Sequence, residues 1–173
     1  PFEDSLISGK KIKKFGIDYE ITPLIEIKKI DTYSKKLFLE TDFDLLIFTS
    51  RNSVKLFDHS KYINKPTIVI GEGTYNELLK IKSNGIYNGG GNSKNIQKIF
   101  LEKFSNNVKN ILHPCAENVN VELEYFFKRK EIHYKKLPIY KVIKTNRLYQ
   151  KFKNFFLSNN QIIILFSPLT AES

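Results

Sequence analysis

Short apolar runs alternate along the chain with longer segments whose apolar residues recur at helical spacing. The clearest runs are LLIF at 45–48, TIVI at 67–70, NIL at 110–112 and IIILF at 162–166. Uninterrupted apolar runs of this length are typical of strands that are buried on both faces. The intervening segments predict helices at 4–15, 51–59, 74–85, 92–104, 118–130 and 147–159. This rhythm predicts an α/β fold in which helices cover both faces of a parallel sheet.

Polar residues and a glycine mark the ends of two of these helices. Asp4 or Ser5 is expected to be the N-cap of the first helix, and Gly16 is expected to end it in a left-handed conformation. The helix at 92–104 is expected to begin at Asn92 or Ser93, which are both good N-cap residues.

Two other predicted strands contain proline. DYEITPLIEI at 18–27 includes Pro23, and EIHYKKLPIYKVIK at 131–144 includes Pro138. Because proline cannot donate a hydrogen bond to a neighbouring strand, neither segment is expected to be a central strand. We interpret the two segments as a paired connector between two lobes.

This connector divides the chain into two predicted lobes. Residues 28–142 form the second lobe, with connector strands near 21–28 and 134–143. The first lobe is discontinuous and combines 1–27 with 143–173. Its last strand is followed only by a short turn and TAES. Since a parallel strand needs a covering helix, we expect the C-terminal part of this lobe to be missing.

Composition narrows the classes of function. The formal net charge is +10 over 173 residues, which favours an anionic partner, although dispersed lysines also form ordinary solvated surfaces. Cys115 is the single cysteine, which excludes a disulfide framework and favours a reducing compartment such as the cytoplasm. No apolar run reaches the roughly 18 residues of a membrane-spanning helix.

Five turns at predicted strand ends are rich in small and polar residues. They are TSRN at 49–52, GEGT at 71–74, NGGGNS at 88–93, HPCAEN at 113–118 and SPLT at 167–170. Backbone N–H groups at helix N-termini bind anions, although serine, threonine and asparagine are also ordinary N-caps there. Because the carboxyl ends of parallel strands share one edge of a sheet, the recurrence predicts a common cleft for an anionic ligand.

Several common kinds of site do not fit the sequence. GEGTYN lacks the third glycine of a dinucleotide-binding loop, and no GK[ST] triplet forms a phosphate loop. The spacing of His59, His113, His133 and Cys115 matches no zinc pattern, so no metal site is expected. YFFKRKEIHYKK at 125–136 mixes basic and aromatic residues, as a nucleic-acid surface or a solvated helix end would.

Taken in order, the motifs of this chain resemble those of the uroporphyrinogen-III synthase family. The resemblance covers the whole chain and rests on PFEDS (1–5), ITPLIEI (21–27), DLLIFTSRNSVKLF (44–57), VIGEGTYNELLKIKSNGI (69–86), NGGGNS (88–93), NILHP (110–114), PIYKV (138–142) and LFSPLTAES (165–173). Each motif is moderately specific, and the ordered set is considerably more so.

The resemblance implies two α/β lobes joined by a two-stranded connector, with the ligand in the cleft between them. It also implies a cyclising lyase, which closes linear hydroxymethylbilane into uroporphyrinogen III with inversion of ring D and loss of water. The family needs neither metal nor cofactor. We therefore expect a monomer that binds this small polycarboxylate, with no nucleic-acid or membrane partner.

Site residues follow from the same resemblance. Tyr140, whose phenol could otherwise simply pack in the hinge, matches the tyrosine often cited for the family and is the expected acid or hydrogen-bond donor. The expected substrate-binding residues are Ser50, Arg51, Asn52, Gly71, Thr74, Gly91, Asn92, Ser93, Cys115, Ala116, Glu117, Ser167 and Pro168.

The chain departs from the family after the strand at 109–113. Many bacterial members have Gly-Arg there, whereas this chain has CAENVN. A carboxylate clamp is thus lost or is supplied by another residue such as Arg51. Two further interpretations remain, namely an anion-binding two-lobed protein without catalysis and a basic nucleic-acid-binding α/β domain.

Overall fold

The computed structural model of the protein describes residues 2–30, 42–144 and 164. Its helices are α1 (Phe2–Lys13), α2 (Arg51–Leu56), α3 (Glu72–Leu79), α4 (Ser93–Lys103) and α5 (Glu122–Arg129). Its strands are β1 (Ile25–Lys29), β2 (Leu45–Phe48), β3 (Thr67–Val69), β4 (Ile86–Asn88), β5 (Asn110–Ala116) and β6 (His133–Lys144). The helix predicted at 147–159 lies outside the described residues, as does the strand predicted at 162–166 apart from residue 164.

The strands form one sheet of six, in the order β1-β6-β5-β2-β3-β4. The pairs β3–β4, β2–β3, β2–β5 and β5–β6 are all parallel. The predicted α/β class with a parallel sheet is therefore confirmed. The chain moves outward from β2 through β3 to β4 and then returns to place β5 on the other side of β2. This reversal makes the β2–β5 pair a topological switch point, where open α/β sheets bind ligands.

Alternating side chains on β2 explain why helices cover both faces. Ile47 belongs to a buried cluster with Phe100 of α4 and Phe127 of α5. Phe48 points to the opposite face, where its ring lies 5.5 Å from that of Phe57, directly after α2. All four residues of β2 are buried, as the LLIF run predicts. Burying each such side chain stabilises the fold by about 1.5–3 kcal/mol.

The ends of several elements differ from the predicted ones. Helix α1 begins at Phe2, so the prediction of Asp4 or Ser5 as its N-cap is wrong. The prediction for Gly16 is confirmed, with φ of 74° just after the helix. Strand β1 begins at Ile25 rather than at residue 18, because pairing starts only after Pro23, which has no N–H to donate.

The end of β5 also corrects the sequence interpretation. The segment HPCAEN was predicted to be a turn, but β5 continues through Pro114 to Ala116. Its pairing with β6 extends this far, with a bulge between Cys115 and Ala116. Its register with β2 reaches only Leu112, so the missing N–H of Pro114 interrupts no bond on that side. The turn therefore begins at Glu117.

Contacts divide the described residues into two compact units. One is Lys29–Lys141, and the other is formed by residues of the two chain ends, before Lys29 and after Lys141. The division into two lobes with a connector stays a prediction. Within residues 2–30 and 42–144, no helix combines the length and the apolar character that a bilayer span needs.

Candidate functional site at the carboxyl edge of the sheet

Four loops meet at one edge of the sheet because the strands that precede them are parallel. They follow β2 at Thr49, β3 at Ile70, β4 at Gly89 and β5 at Glu117. Three of these loops lead directly into α2, α3 and α4. The parallel sheet therefore brings the strand-end turns together at one edge, as the sequence predicts.

The loop after β2 contains a helix cap and a cation. Ser50 is the N-cap of α2, and its Oγ accepts a hydrogen bond from the Asn52 N–H at 3.2 Å. Arg51 follows as the first helical residue. A Cβ atom added to Gly73 would lie 3.0 Å from Nη2 of Arg51, so the guanidinium group lies against the first turn of α3. A larger residue at position 73 would displace this cation.

The loops after β3 and β4 bind each other through their backbones. The Gly71 N–H donates to the Gly90 carbonyl, and both glycines have positive φ, of 81° and 66°. The Asn88 side chain donates to the Glu72 carboxylate at 3.1 Å. Gly91 is exposed and has open space around it. The Gly71 amide, a candidate anion donor in the sequence, is therefore already paired within the protein.

Helices α4 and α5 are joined at their N-termini by one carboxylate. The Asn92 side chain is the N-cap of α4 and accepts from the Asn95 N–H at 3.1 Å, as predicted for a cap. The Ser93 hydroxyl donates to the Glu122 carboxylate, which Gln97 also approaches at 3.4 Å. The Ser93 hydroxyl, which the sequence analysis predicted to bind the substrate, is therefore already hydrogen-bonded to Glu122.

The remaining candidate site residue on α3 is Thr74, which lies in the first turn of that helix. Thr74 is buried, and its N–H donates to the Gly71 carbonyl at 3.1 Å within the first turn of the helix. Its role in ligand binding stays a prediction.

Tyr140 lies beside the end of β5. It pairs with Ala116, and its carbonyl accepts from the Glu117 N–H at 2.8 Å. Its side chain is 5% exposed. Across residues 2–30, 42–144 and 164, no hydrogen bond to its hydroxyl is found. The structure therefore brings Tyr140 together with Ala116 and Glu117, two other predicted site residues.

Cys115 does not present a reactive thiol. The side chain is 1% exposed, and burial raises its pKa to about 11. A thiol of this kind is protonated at neutral pH and a poor nucleophile. Only the backbone at Cys115 is left as a candidate for ligand binding.

A buried histidine links three strands near the switch point. His113 is fully buried in β5, its Nε2 lies 3.1 Å from the Thr49 Oγ1, and its Nδ1 is hydrogen-bonded to the Tyr134 hydroxyl. Burial, with a smaller effect of Lys136, lowers the pKa of His113 to about 3, so its imidazole is neutral. The sequence analysis considered the His113 side chain only as a candidate metal ligand and did not place Thr49 or Tyr134 beside it.

Two predicted residues, Ser167 and Pro168, lie outside the described residues. In the part of the chain that the structure describes, no three His, Cys, Asp or Glu side chains are grouped as metal ligands.

Residues 8–173 match the protein family described as uroporphyrinogen-III synthase HemD. The chain belongs to the uroporphyrinogen-III synthase family. This confirms the family resemblance of the ordered motifs. No curated protein sequence matches the chain significantly.

Two solved structures of uroporphyrinogen-III synthase share the fold of this chain. A mutant of the Thermus thermophilus protein has a TM-score of 0.58 at 14% identity, covering 87% of this chain and 64% of its own. The wild-type protein from the same bacterium has a TM-score of 0.52 at 14% identity, covering 87% and 63%. The Helicobacter pylori protein has a TM-score of 0.49 at 22% identity, covering 79% and 63%. The chain thus spans less than two thirds of each.

Proposed function

We propose that this chain is part of an enzyme that closes hydroxymethylbilane into uroporphyrinogen III, inverting ring D and releasing water. The observation that carries the proposal is the family match over residues 8–173. The arrangement of strand ends supports it, because four loops converge beside a topological switch point. Proteins with this arrangement bind ligands at the carboxyl ends of the strands.

In this proposal Tyr140 is the acid or hydrogen-bond donor. Its hydroxyl lacks a partner within the described part of the chain and lies on a strand that pairs with the end of β5. A proton given to the departing hydroxyl of the substrate would release water and leave an azafulvene. The substituted carbon of the terminal pyrrole would then attack the azafulvene and form a spiro intermediate. Breaking the original bridge bond to that carbon and re-forming it at the free α-carbon of the same pyrrole inverts ring D. Holding the chain for this attack is a positioning task.

The substrate carboxylates need donors and positive charge. Arg51 supplies a cation beside the first turn of α3. The exposed Gly91 supplies a further candidate N–H, whereas the N–H groups of Asn52 and Glu117 are already donated within the protein. Ser167 and Pro168 also belong to the predicted set. A substrate with eight carboxylates suits a protein with a formal net charge of +10.

The same proposal includes the properties that accompany this activity. The protein acts as a monomer in the cytoplasm, without metal or cofactor, and binds neither nucleic acid nor membranes. The first lobe comprises 1–27 and 143–173, and the second comprises 28–142. A single buried cysteine agrees with a reducing compartment.

The decisive test is the isomer formed from hydroxymethylbilane generated in situ. The intact protein that contains this chain should yield the type III isomer, while spontaneous closure in a heat-inactivated control yields type I. Formation of type I alone would contradict the proposal. In that case, retained binding of a tetrapyrrole polycarboxylate would favour a non-catalytic anion-binding protein. Salt-sensitive binding of duplex or single-stranded nucleic acid would favour the third interpretation.

A further inference from the structure

Three side chains from three neighbouring strands form a continuous polar chain inside the unit Lys29–Lys141. Thr49 follows β2, His113 lies in the middle of β5, and Tyr134 lies near the start of β6. The Tyr134 hydroxyl is bonded to Nδ1 of His113, and Nε2 of His113 lies 3.1 Å from the Thr49 Oγ1. The chain of hydrogen bonds therefore runs from the interior of the sheet to its carboxyl edge.

The surroundings of His113 keep its ring in one place. It is 0% exposed, and Tyr134 stacks on the buried Phe127 of α5 with ring centroids 5.1 Å apart. Lys136 lies opposite His113 in the parallel register, and its ammonium group is paired with Glu124 at 2.6 Å. A nearby cation and the lack of water both favour a neutral imidazole, which carries one N–H.

The position of that single proton decides what Thr49 can do. Within the described residues, the Tyr134 hydroxyl has His113 as its hydrogen-bond partner and no other acceptor. A phenol O–H that donates to Nδ1 places the imidazole proton on Nε2. In this tautomer Nε2–H donates to the Thr49 Oγ1, and the Thr49 hydroxyl proton is left to donate elsewhere.

Thr49 stands where a ligand of an open α/β sheet would bind. It is the first residue after β2, it is half-buried, and β2 and β5 flank the switch point. An O–H that donates outward is suited to an acceptor oxygen, and an ionised carboxylate accepts a stronger hydrogen bond than a neutral oxygen does.

We infer that Tyr134, His113 and Thr49 form a directed hydrogen-bond chain that presents the Thr49 hydroxyl as a donor to a carboxylate of the ligand. Thr49 is a binding residue, and His113 and Tyr134 are positioning residues that act through it. The inference rests on the proposed function for the kind of ligand, and it adds residues outside the set that the sequence predicts.

The direction of the chain is measured by NMR on the intact protein labelled with nitrogen-15. Long-range proton–nitrogen correlations should show His113 as the Nε2–H tautomer at neutral pH. In Tyr134→Phe, Nδ1 loses its donor and the signal should shift toward a mixture of tautomers, whereas Tyr125→Phe, at a residue 62% exposed, should leave it unchanged. An Nδ1–H tautomer in the wild type would overturn the inference.

The role of Thr49 is measured by binding, with uroporphyrin III as a fluorescent polycarboxylate probe. Thr49→Val keeps the shape and removes the hydroxyl, so Kd should rise about tenfold. Thr49→Ser restores the hydroxyl and should restore most of the affinity. An unchanged Kd in Thr49→Val, or a wild type that does not bind the probe, would overturn the inference. These outcomes are separate from the isomer assay, since a wild type that forms only type I contradicts the proposed function but can still bind the probe.

Discussion

The loops after β3 and β4 differ from the strand ends at β2 and β5, although all four are rich in small or polar residues. After β3 and β4, donors are consumed locally, as in the hydrogen bond from Gly71 to Gly90. At β2 and β5, polar groups connect different strands, from Thr49 to His113 and from Glu117 to Tyr140. The comparison shows that strand ends of similar composition differ in where their donors are used, either between neighbouring loops or between different strands.

The largest expected effect concerns Tyr140, at the β2–β5 side of the edge. If its hydroxyl donates a proton or hydrogen bond to the reacting centre, Tyr140→Phe should lower kcat about 100-fold. The unfolding free energy should change little, since the ring is retained. Formation of the type III isomer under saturating substrate measures kcat. The matched control is Tyr125→Phe, an exposed tyrosine on α5. An unchanged kcat in Tyr140→Phe would remove the hydroxyl from the mechanism.

The next effect tests the buried His113. Its folded-state pKa of about 3 lies below the ordinary value of 6.5, so the unfolded chain binds the proton more tightly. The contribution of neutral His113 to the unfolding free energy is fully present above pH 6.5. This contribution is lost as the pH falls from 6.5 toward 3. From pH 7 to pH 5 the loss is about 2 kcal/mol.

Urea unfolding at the two pH values measures this loss. His59 and Asp44, whose pKa values are also lowered, shift stability in the same direction. The comparison is therefore with His113→Gln, which cannot titrate and should lose about 2 kcal/mol less. Burial raises the pKa values of the nearby Cys115 and Tyr134, so both stay neutral over this range. Equal losses in the two proteins would show that His113 is not held neutral.

A smaller effect distinguishes a strained glycine from an unstrained one within the loops after β3 and β4. Gly71 has φ of 81°, which an L side chain adopts at a cost, so Gly71→Ala should lower the unfolding free energy by about 1–2 kcal/mol. Gly91→Ala is the control, because that glycine has open space around it and no positive φ. Thermal unfolding of both variants measures the difference. If Gly91→Ala lost as much stability as Gly71→Ala, the distinction between a strained and an unstrained glycine would be contradicted.

The smallest effect is the reactivity of Cys115. With a pKa of about 11, about 0.01% of the thiol is ionised at pH 7, and burial blocks access as well. Alkylation by iodoacetamide should be very slow in the folded protein and rapid in denaturant, as followed by mass spectrometry. Fast alkylation of the folded protein would mean that the end of β5 opens to solvent.

Local patterns predicted the elements that local physics determines. The apolar run LLIF is β2, the cap at Asn92 begins α4, and the long strand with Pro138 is β6. The prediction that the Pro138 strand is not a central one is wrong, because β6 lies between β1 and β5 in the sheet. The sequence analysis ended β5 too early. The last residues of β5 are extended because they pair with β6, and the local sequence of β5 does not reveal that pairing.

The candidate site was predictable only in outline. The convergence of strand ends follows from parallel strands, and the sequence shows those. The sequence does not show which hydrogen-bonding groups are already paired, because their partners lie far along the chain. Examples are Glu122 for Ser93 and His113 for Thr49. The roles assigned to individual site residues stay predictions.

The position of β5 next to β2 also has a consequence for folding. Thr49 and His113 are 64 positions apart, so the switch point forms through a long-range contact, which is slow to close. During synthesis β2 can pair with β3 early, while its other edge stays unpaired until β5 has been made. An unpaired edge of buried apolar residues can pair with other chains. A protein truncated before β5 would therefore lack one wall of the candidate site and would be prone to aggregate.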